Sequence, residues 1–331
     1  MEAIINGADD STATSPDRRS ALTYRRFGDP AGVLQIDKRP LQDRGRHMLG
    51  VAMVLAPINP SDLIPITGAY PHRIALPAIG GYEGVGQVVD ASPDHADWIG
   101  RRVLPLRGEG TWQSIVDCDA DLAIRVPDYV PDHLAARAYI NPLAALCMMD
   151  ARDVAGRTVL LLGAGSNCAD YLGALAREHG AKHVIGIYRS LERAPRLEAL
   201  GIEPVGLSDA RAVTRAAERA DITFDALGGP VGTEVLKSMR AATVFVSYGL
   251  LSGEPIAFAG SCARHCRFHL RDALAGMSVG AWQGMFGRVW PLLRHVEVPA
   301  GQVFAARQWR QALIAFARPG RAKPLLDLQA F

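Results

Sequence analysis

Cysteine is scarce and scattered in this 331-residue chain: five residues, an odd number at wide spacing, which argues against a disulfide framework. Lysine is scarcer still, only four of the 36 basic residues, and the arginines that make up the rest are spread along the chain. At a net charge of +2 there is no basic bias that would point to nucleic acid. No apolar run approaches the ~18 residues that a membrane span needs. The first twenty residues contain Glu2, Asp9, Asp10 and Asp17 and no apolar centre, so they match neither a secretory signal nor an acid-poor transit peptide. Residues 1–20 therefore read as a frayed polar tail, and the expected compartment is the cytoplasm.

What is present is enough apolar material for about two domains, since 49% of the residues are hydrophobic. From Ala21 to Val126, short β-like runs such as VLQI, HMLGVAMVLAPI, VGQVV and QSIVDC alternate with Gly, Pro and Asp turns. That spacing predicts an antiparallel, barrel-like β domain. An alanine- and leucine-rich helix then runs from Asn141 towards Arg152.

The pattern changes at Thr158. The runs TVLLLG, HVIGIY, ITFDAL and TVFVSYG are apolar strands, with helices expected over Asn167 to His179 and around Arg193 to Leu200. Strands alternating with helices predict βαβ units and an α/β, doubly wound parallel sheet. Later segments return to helix around Trp282 to His295 and Gln308 to Arg318, and the closing KPLLDL is expected to rejoin the β domain.

One stretch stands out, INPSDLIPITGAYPHRIALPAIGGYEGVG, from Ile58 to Gly86. Asn59 and Ser61 are good helix caps, and Asp62 suits the positive end of the helix dipole. Tyr70 precedes Pro71 and so belongs in a loop. Glu83 sits between glycines at the entry to a strand, where support of the turn is a better expectation than a catalytic base.

This stretch closely resembles the zinc-independent medium-chain dehydrogenase/reductases, and within them the mitochondrial-type 2-enoyl thioester reductases. The likeness continues in ALTYRRFGDPAGVLQI, GEGTWQSIV, INPLAAL, FDALGGPVGTEVL and VSYGLLSGEPI, and thins after Ala257. It implies a GroES-like β-barrel-type catalytic domain, residues 21–143 and 280–331, with a Rossmann cofactor domain, residues 144–279, inserted into it. Zinc-dependent members of the wider superfamily use a histidine in a G-H-E motif and an early cysteine. Here Tyr82 takes the histidine's place and no cysteine precedes Cys118, so no catalytic metal is expected. Cys262, Cys266 and His269 would share one face of a helix, but their spacing matches no established metal pattern, and a structural helix is the expectation.

The cofactor loop follows from context. Gly163 and Gly165 lie where a buried strand turns into a helix, the place at which backbone N–H groups receive a pyrophosphate. Cys168 stands at the third glycine position, Asp170 in the first helical turn would repel a phosphate if it pointed inward, and Ser166 and Asn167 can supply donors. At the end of the second strand comes Tyr188-Arg189-Ser190, with no acid before Glu192. An arginine there suits a 2′-phosphate, so NADPH is the expected cofactor. Gly228, Tyr248, Gly249 and Leu250 fall at the ends of later strands, where such sheets bind ligands. Asn141 is expected at the nicotinamide edge, and Lys323 is a further cofactor candidate.

By resemblance, hydride moves to the β-carbon of a trans-2-enoyl thioester and Tyr70 serves the protonation at the α-carbon. A neutral phenol, ordinarily near pKa ~10, can donate a bond or proton at pH 7. Asn59 and Trp112 are expected beside the substrate, which is carried by CoA or acyl carrier protein, and Arg264, Arg267, Arg271 and Arg288 are available for its phosphates. A quinone or alkenal reductase of the same superfamily, independent of Tyr70, is an alternative. A cofactor-binding homologue with little turnover is another, suggested by Cys168 and Asp170. The apolar strand Thr243 to Gly249 reads as a sheet edge needing cover, and the resemblance implies a homodimer.

Overall fold

The computed structural model describes residues 18–41, 43–257, 260–318 and 322–331. The strands before the first long helix are β1 (Arg18–Tyr24), β2 (Leu34–Pro40), β3 (Met48–Pro57), β4 (Ala78–Ile79), β5 (Val85–Ala91), β6 (Arg102–Leu104), β7 (Ile115–Asp119) and β8 (Ile124–Arg125). The middle of the chain supplies β9 (Thr158–Leu162), β10 (His183–Tyr188), β11 (Glu203–Gly206), β12 (Ile222–Asp225), β13 (Val244–Ser247) and β14 (Arg264–Arg267). Two short strands close it, β15 (Gln302–Ala305) and β16 (Pro324–Asp327).

Three sheets result. β2, β1 and β4 form a small antiparallel layer, and β15-β16-β3-β5-β6-β8, with β7 also on β3, forms a larger one. The last strand does return to the first half of the chain, because β16 pairs antiparallel with the end of β3. The third sheet is parallel throughout, in the order β11-β10-β9-β12-β13-β14. Reading β9 as the first strand, this is the 3-2-1-4-5-6 order of a doubly wound dinucleotide-binding sheet, whose crevice opens where the order reverses, between β9 and β12.

TVLLL makes a good central strand because both its faces are covered. Val159 and Leu161 pack into one core with Leu172, Trp282 and Phe286, while Leu160 and Leu162 pack into another with Ile185, Val235 and Phe245. The first of these cores also contains Val85, Leu104 and Ile124, so the helix Ile140–Asp150 and its neighbours tie the parallel sheet to the β region. A third core fills the β region around Leu22, Val51, Trp112, Trp309 and Leu326.

Four expectations change at this level. Of the tail, residues 1–17 lie outside the described residues, but Arg18, Arg19 and Ser20 belong to β1. Arg19 is fully buried and gives Nη1–H to Asp117 at 2.9 Å, which anchors the strand. Glu203–Gly206 and Arg264–Arg267 are strands that the apolar pattern did not reveal. The second of these covers β13, so the strand read as an edge is interior. The edge itself is the arginine-flanked β14, a charged strand of the kind that discourages further pairing. Finally, the segment holding Cys262, His265, Cys266 and His269 is not a helix, because its backbone is recruited to the sheet.

Candidate active site

A cleft of about 670 Å³ lies between the parallel sheet and the β region. It is bordered by the Asn59–Pro65 turn, Tyr70 and Arg73, the start of the helix Ile140–Asp150, the Ser166–Cys168 loop, the ends of β12 and β13, residues 265–271, and Lys323.

Its corner is a buried polar cluster. Asn59 is 1% exposed and its amide is almost fully used: Nδ2 donates to Glu83 Oε1 at 2.8 Å, while Oδ1 accepts from Lys323 Nζ and from Asn141 Nδ2 at 3.4 Å. Asn59 is the N-cap of the Pro60–Leu63 turn and forms a capping box with Asp62, whose Oδ2 accepts the backbone N–H of Asn59 at 2.7 Å and whose Oδ1 accepts that of Tyr82 at 2.9 Å. Glu83 Oε2 accepts the N–H groups of Tyr139 and Ile140, at 3.1 and 2.7 Å. The carboxylate that follows Tyr82 thus clamps the helix start at the cleft to the β region. Burial pushes the Glu83 carboxyl up and the Lys323 ammonium down from their ordinary values. It also carries Asp62 to about 7, with the Glu83 charge adding to the effect. Ser61 Oγ, also on the cleft, is buried without a hydrogen-bond partner among the described residues.

Tyr70 occupies a different setting. It is half-buried on the cleft wall at the head of the short turn Pro71–Arg73, with the Arg73 guanidinium 5.5 Å from its ring centroid. Tyr82 also faces the cleft, and burial raises its phenol's pKa.

On the sheet side, Gly163 turns the chain at φ 76°, a conformation that disfavours any side chain, and Ser166 caps the helix Asn167–Glu178 by accepting the Ala169 N–H. The first-turn amides of such a helix have no intrahelical acceptor, and here Asn167 and Cys168 border the cleft. Asp170 does not oppose an anion there. It is buried and turned to Arg196, whose Nε and Nη2 donate at 3.3 and 3.1 Å. Cys168, in the third-glycine position, directs its thiol to the carbonyl of Asn141 at 3.7 Å, and burial lifts its pKa to about 12. That thiol is a packing group. Gly228, φ 67°, and Gly249 end β12 and β13 at positions where an added Cβ would come within 2.5 and 2.6 Å of the carbonyls of Glu254 and Ala226. Tyr248 reaches towards Ser166 and Cys168, and its burial raises its phenol pKa well above the ordinary value. The loop, the capped helix and the two glycine turns together fit a dinucleotide.

Comparison with known proteins agrees with this geometry. Residues 45–128 match the alcohol dehydrogenase GroES-like domain. A solved Bacillus thuringiensis structure, of a protein assigned as an NADPH:quinone reductase, is 32% identical, with a TM-score of 0.86 over 94% of this chain and 99% of that one. The chain belongs to the medium-chain dehydrogenase/reductase family. The mitochondrial enoyl-[acyl-carrier-protein] reductase of Arabidopsis thaliana is 29% identical over 97% of this chain and 84% of its own. The Etr1p/NADP/crotonyl-CoA complex has the same fold, with a TM-score of 0.80 at 17% identity over 94% and 99% of the two chains.

Within this medium-chain dehydrogenase/reductase frame, most of the residues read from the sequence meet at one cleft: Asn59, Tyr70, Asn141, Ser166, Asn167, Gly228, Tyr248, Gly249, Leu250 and Lys323. Gly163 and Gly165 shape the loop behind it, and Tyr188, Arg189 and Ser190 stand at the end of β10 outside its border. Trp112 is a correction. Its ring is 1% exposed in the β core, its indole N–H goes to the Pro57 carbonyl at 3.1 Å, and a Cβ on Gly80 or Gly81 would lie 2.4 Å from it. It wedges the glycine pair that precedes Glu83 and cannot reach a substrate. Arg288 is another, because it forms a two-pronged ion pair with Asp150 at 2.7 Å, away from the cleft. Arg264 lies on the exposed edge strand, while Arg267 and Arg271 do line the cleft. Sequence reasoning missed the Asp62–Glu83–Lys323 assembly around Asn59. The INPSD and GGYEG motifs were its only signal, and nothing in their spacing says that Lys323 joins them.

Proposed function

We propose that this protein is a zinc-independent, NADPH-dependent reductase of the 2,3 double bond of a trans-2-enoyl thioester or a related α,β-unsaturated carbonyl compound. The observation that carries the reading is the placement of the Tyr70 phenol on the wall of a cleft that also takes in the Ser166–Cys168 loop and the glycine ends of β12 and β13.

Bound NADPH supplies a hydride, which goes to the β-carbon. The chain's own residues do the rest. Gly163, Ser166 and Asn167 would hold the pyrophosphate on backbone and hydroxyl donors, and Arg189 at the end of β10 would take the 2′-phosphate. Gly228, Gly249 and Leu250 would flank the nicotinamide half. Glu83 holds the Tyr139–Ile140 backbone, and Lys323 with Asn141 holds the Asn59 carbonyl, so the Asn59 and Asn141 wall is rigid before a ligand arrives. As the β-carbon gains the hydride, the carbonyl becomes an enolate. Tyr70 O–H donates to that developing charge and passes its proton to the α-carbon, then recovers one from solvent. Tyr82, standing where related enzymes carry a zinc-binding histidine, leaves this polarisation to hydrogen-bond donors.

NADPH oxidation is expected with crotonyl-CoA, and Tyr70→Phe is expected to suppress it. A quinone reductase is the second reading, supported by the name of the Bacillus thuringiensis relative. Quinone turnover equal in wild type and Tyr70→Phe, with no thioester turnover, would select it. Absence of NADPH binding at millimolar concentration would sink both. We also propose the homodimer that the resemblance implies, to be checked by sedimentation equilibrium.

A further inference from the structure

The cleft has a marked charge pattern. Among the described residues that border it there is no aspartate or glutamate, yet Arg73, Arg267, Arg271 and Lys323 all do so. Lys323 is committed to Asn59. The three arginines have no carboxylate partner among the described residues, and the Arg73 Nε–H goes only to the neighbouring His72 ring, at 3.1 Å.

The cofactor's phosphates would meet the Gly163–Asn167 loop and Arg189 at the end of β10, elements other than those that carry Arg73 and Arg271. Arg73 lies over the Tyr70 ring at 5.5 Å. Arg271 is close enough to Tyr82 and Tyr139 to act electrostatically on both phenols. A carrier's pyrophosphate cannot meet Arg73 there while Tyr70 attends the reacting carbons. The pantetheine arm puts it on the order of 15 Å from the thioester carbonyl at ordinary bond lengths. Arg73 beside Tyr70, with Arg271 on the border of the same cleft, therefore faces a charge within the acyl group.

We propose that the substrate's acyl group carries a carboxylate, bound by Arg73 beside Tyr70 together with Arg271, which lines the same cleft. This rests on the reductase reading and narrows its substrate class. Guanidinium–carboxylate pairing is bidentate and charge-assisted, so it orients the double bond as well as adding affinity. The acid-free border then removes the repulsion that a carboxylated substrate would otherwise meet.

The test compares N-acetylcysteamine thioesters of crotonate and glutaconate, which lack any carrier phosphate, with NADPH, in wild type, Arg271→Gln and Arg73→Gln. Wild type is expected to favour the glutaconate thioester by about 10–100-fold in kcat/KM, the range of a charge-assisted hydrogen bond, and each variant is expected to bring that ratio towards one. Equal use of both thioesters by wild type, or a ratio unchanged in the variants, overturns the inference. So does a preference for crotonyl-CoA over crotonyl-N-acetylcysteamine that disappears in the variants, because the arginines would then be reading the carrier's phosphates. If no thioester is reduced, the reductase reading falls by itself. The Kd of the saturated glutaryl thioester against the butyryl one, by calorimetry, still decides the charge question: a ratio near one rejects it.

Discussion

The corner around Asn59 and the wall around Tyr70 border one cleft and are built in opposite ways. In the corner, Asp62 and Glu83 are buried, Lys323 is half-buried, and all three are bonded to backbone N–H groups or to the Asn59 amide, so nearly every polar atom has a partner. On the wall, Tyr70 is half-buried, Arg73 and Arg271 are exposed, and none of them is held by a carboxylate among the described residues. Buried ionic groups are costly unless fully paired, so the corner can tolerate little change. The wall stays free to hydrogen-bond to a ligand because it spends little on itself. Rigidity and reactivity are thus kept on separate residues.

Changes in the corner should appear first as lost stability, and changes on the wall as lost turnover. The largest expected effect is that of Glu83→Ala. Removing one partner from a buried ion cluster and leaving two backbone N–H groups unmet should lower unfolding free energy by about 3–5 kcal/mol, read from urea denaturation. A loss below about 1 kcal/mol would mean that Glu83 does not clamp the corner.

Tyr70→Phe should do the reverse. Thioester reduction is expected to fall about 10²–10³-fold in kcat, with the urea midpoint nearly unchanged. A matching fall in stability would erase the distinction between the two regions. Arg189→Ala sharpens the cofactor side: NADPH affinity should fall about tenfold while NADH affinity stays the same, as measured by titration of the reduced nicotinamide's fluorescence.

The smallest effect is the pH dependence set by the corner. Burial raises the Asp62 carboxyl from 3.8 to about 7 in the folded protein. Between those values the folded state holds the proton and the unfolded state has released it. The Asp62 contribution is therefore fully present below the unfolded value and is lost as pH rises through the folded one. Asp62→Asn should flatten the decline in urea midpoint between about pH 5 and 7.5 relative to wild type. A steeper decline in the variant would mean that the Asp62 carboxyl is held below its unfolded value, not above it.

Some of this architecture was legible in advance because it depends on local pattern. TVLLL and HVIGIY have the unbroken apolar character of buried parallel strands, and Gly163 to Asn167 sits at the one turn where a phosphate loop belongs. RHCR could not be read that way. It is a strand because β13 offers it a hydrogen-bonded edge, and its own composition says nothing of that. Trp112 failed for a related reason. An aromatic ring close to a motif is equally at home beside a ligand or inside a barrel, and here the two glycines at 80 and 81 leave the space that admits it to the core.

By itself the sequence determined the alternation of strands and helices and the glycine turns, which follow from short-range periodicity and the chemistry of single residues, and its motifs carried the resemblance to the family. Only the tertiary structure decided that Lys323, which follows Asn59 by 264 positions, closes the polar corner, that Arg196 neutralises Asp170, and that Arg271 borders the same cleft as Tyr82. Those placements depend on how separate sheets and loops pack, and in the first two burial strengthens the pairing by removing the water that would otherwise satisfy each charge alone.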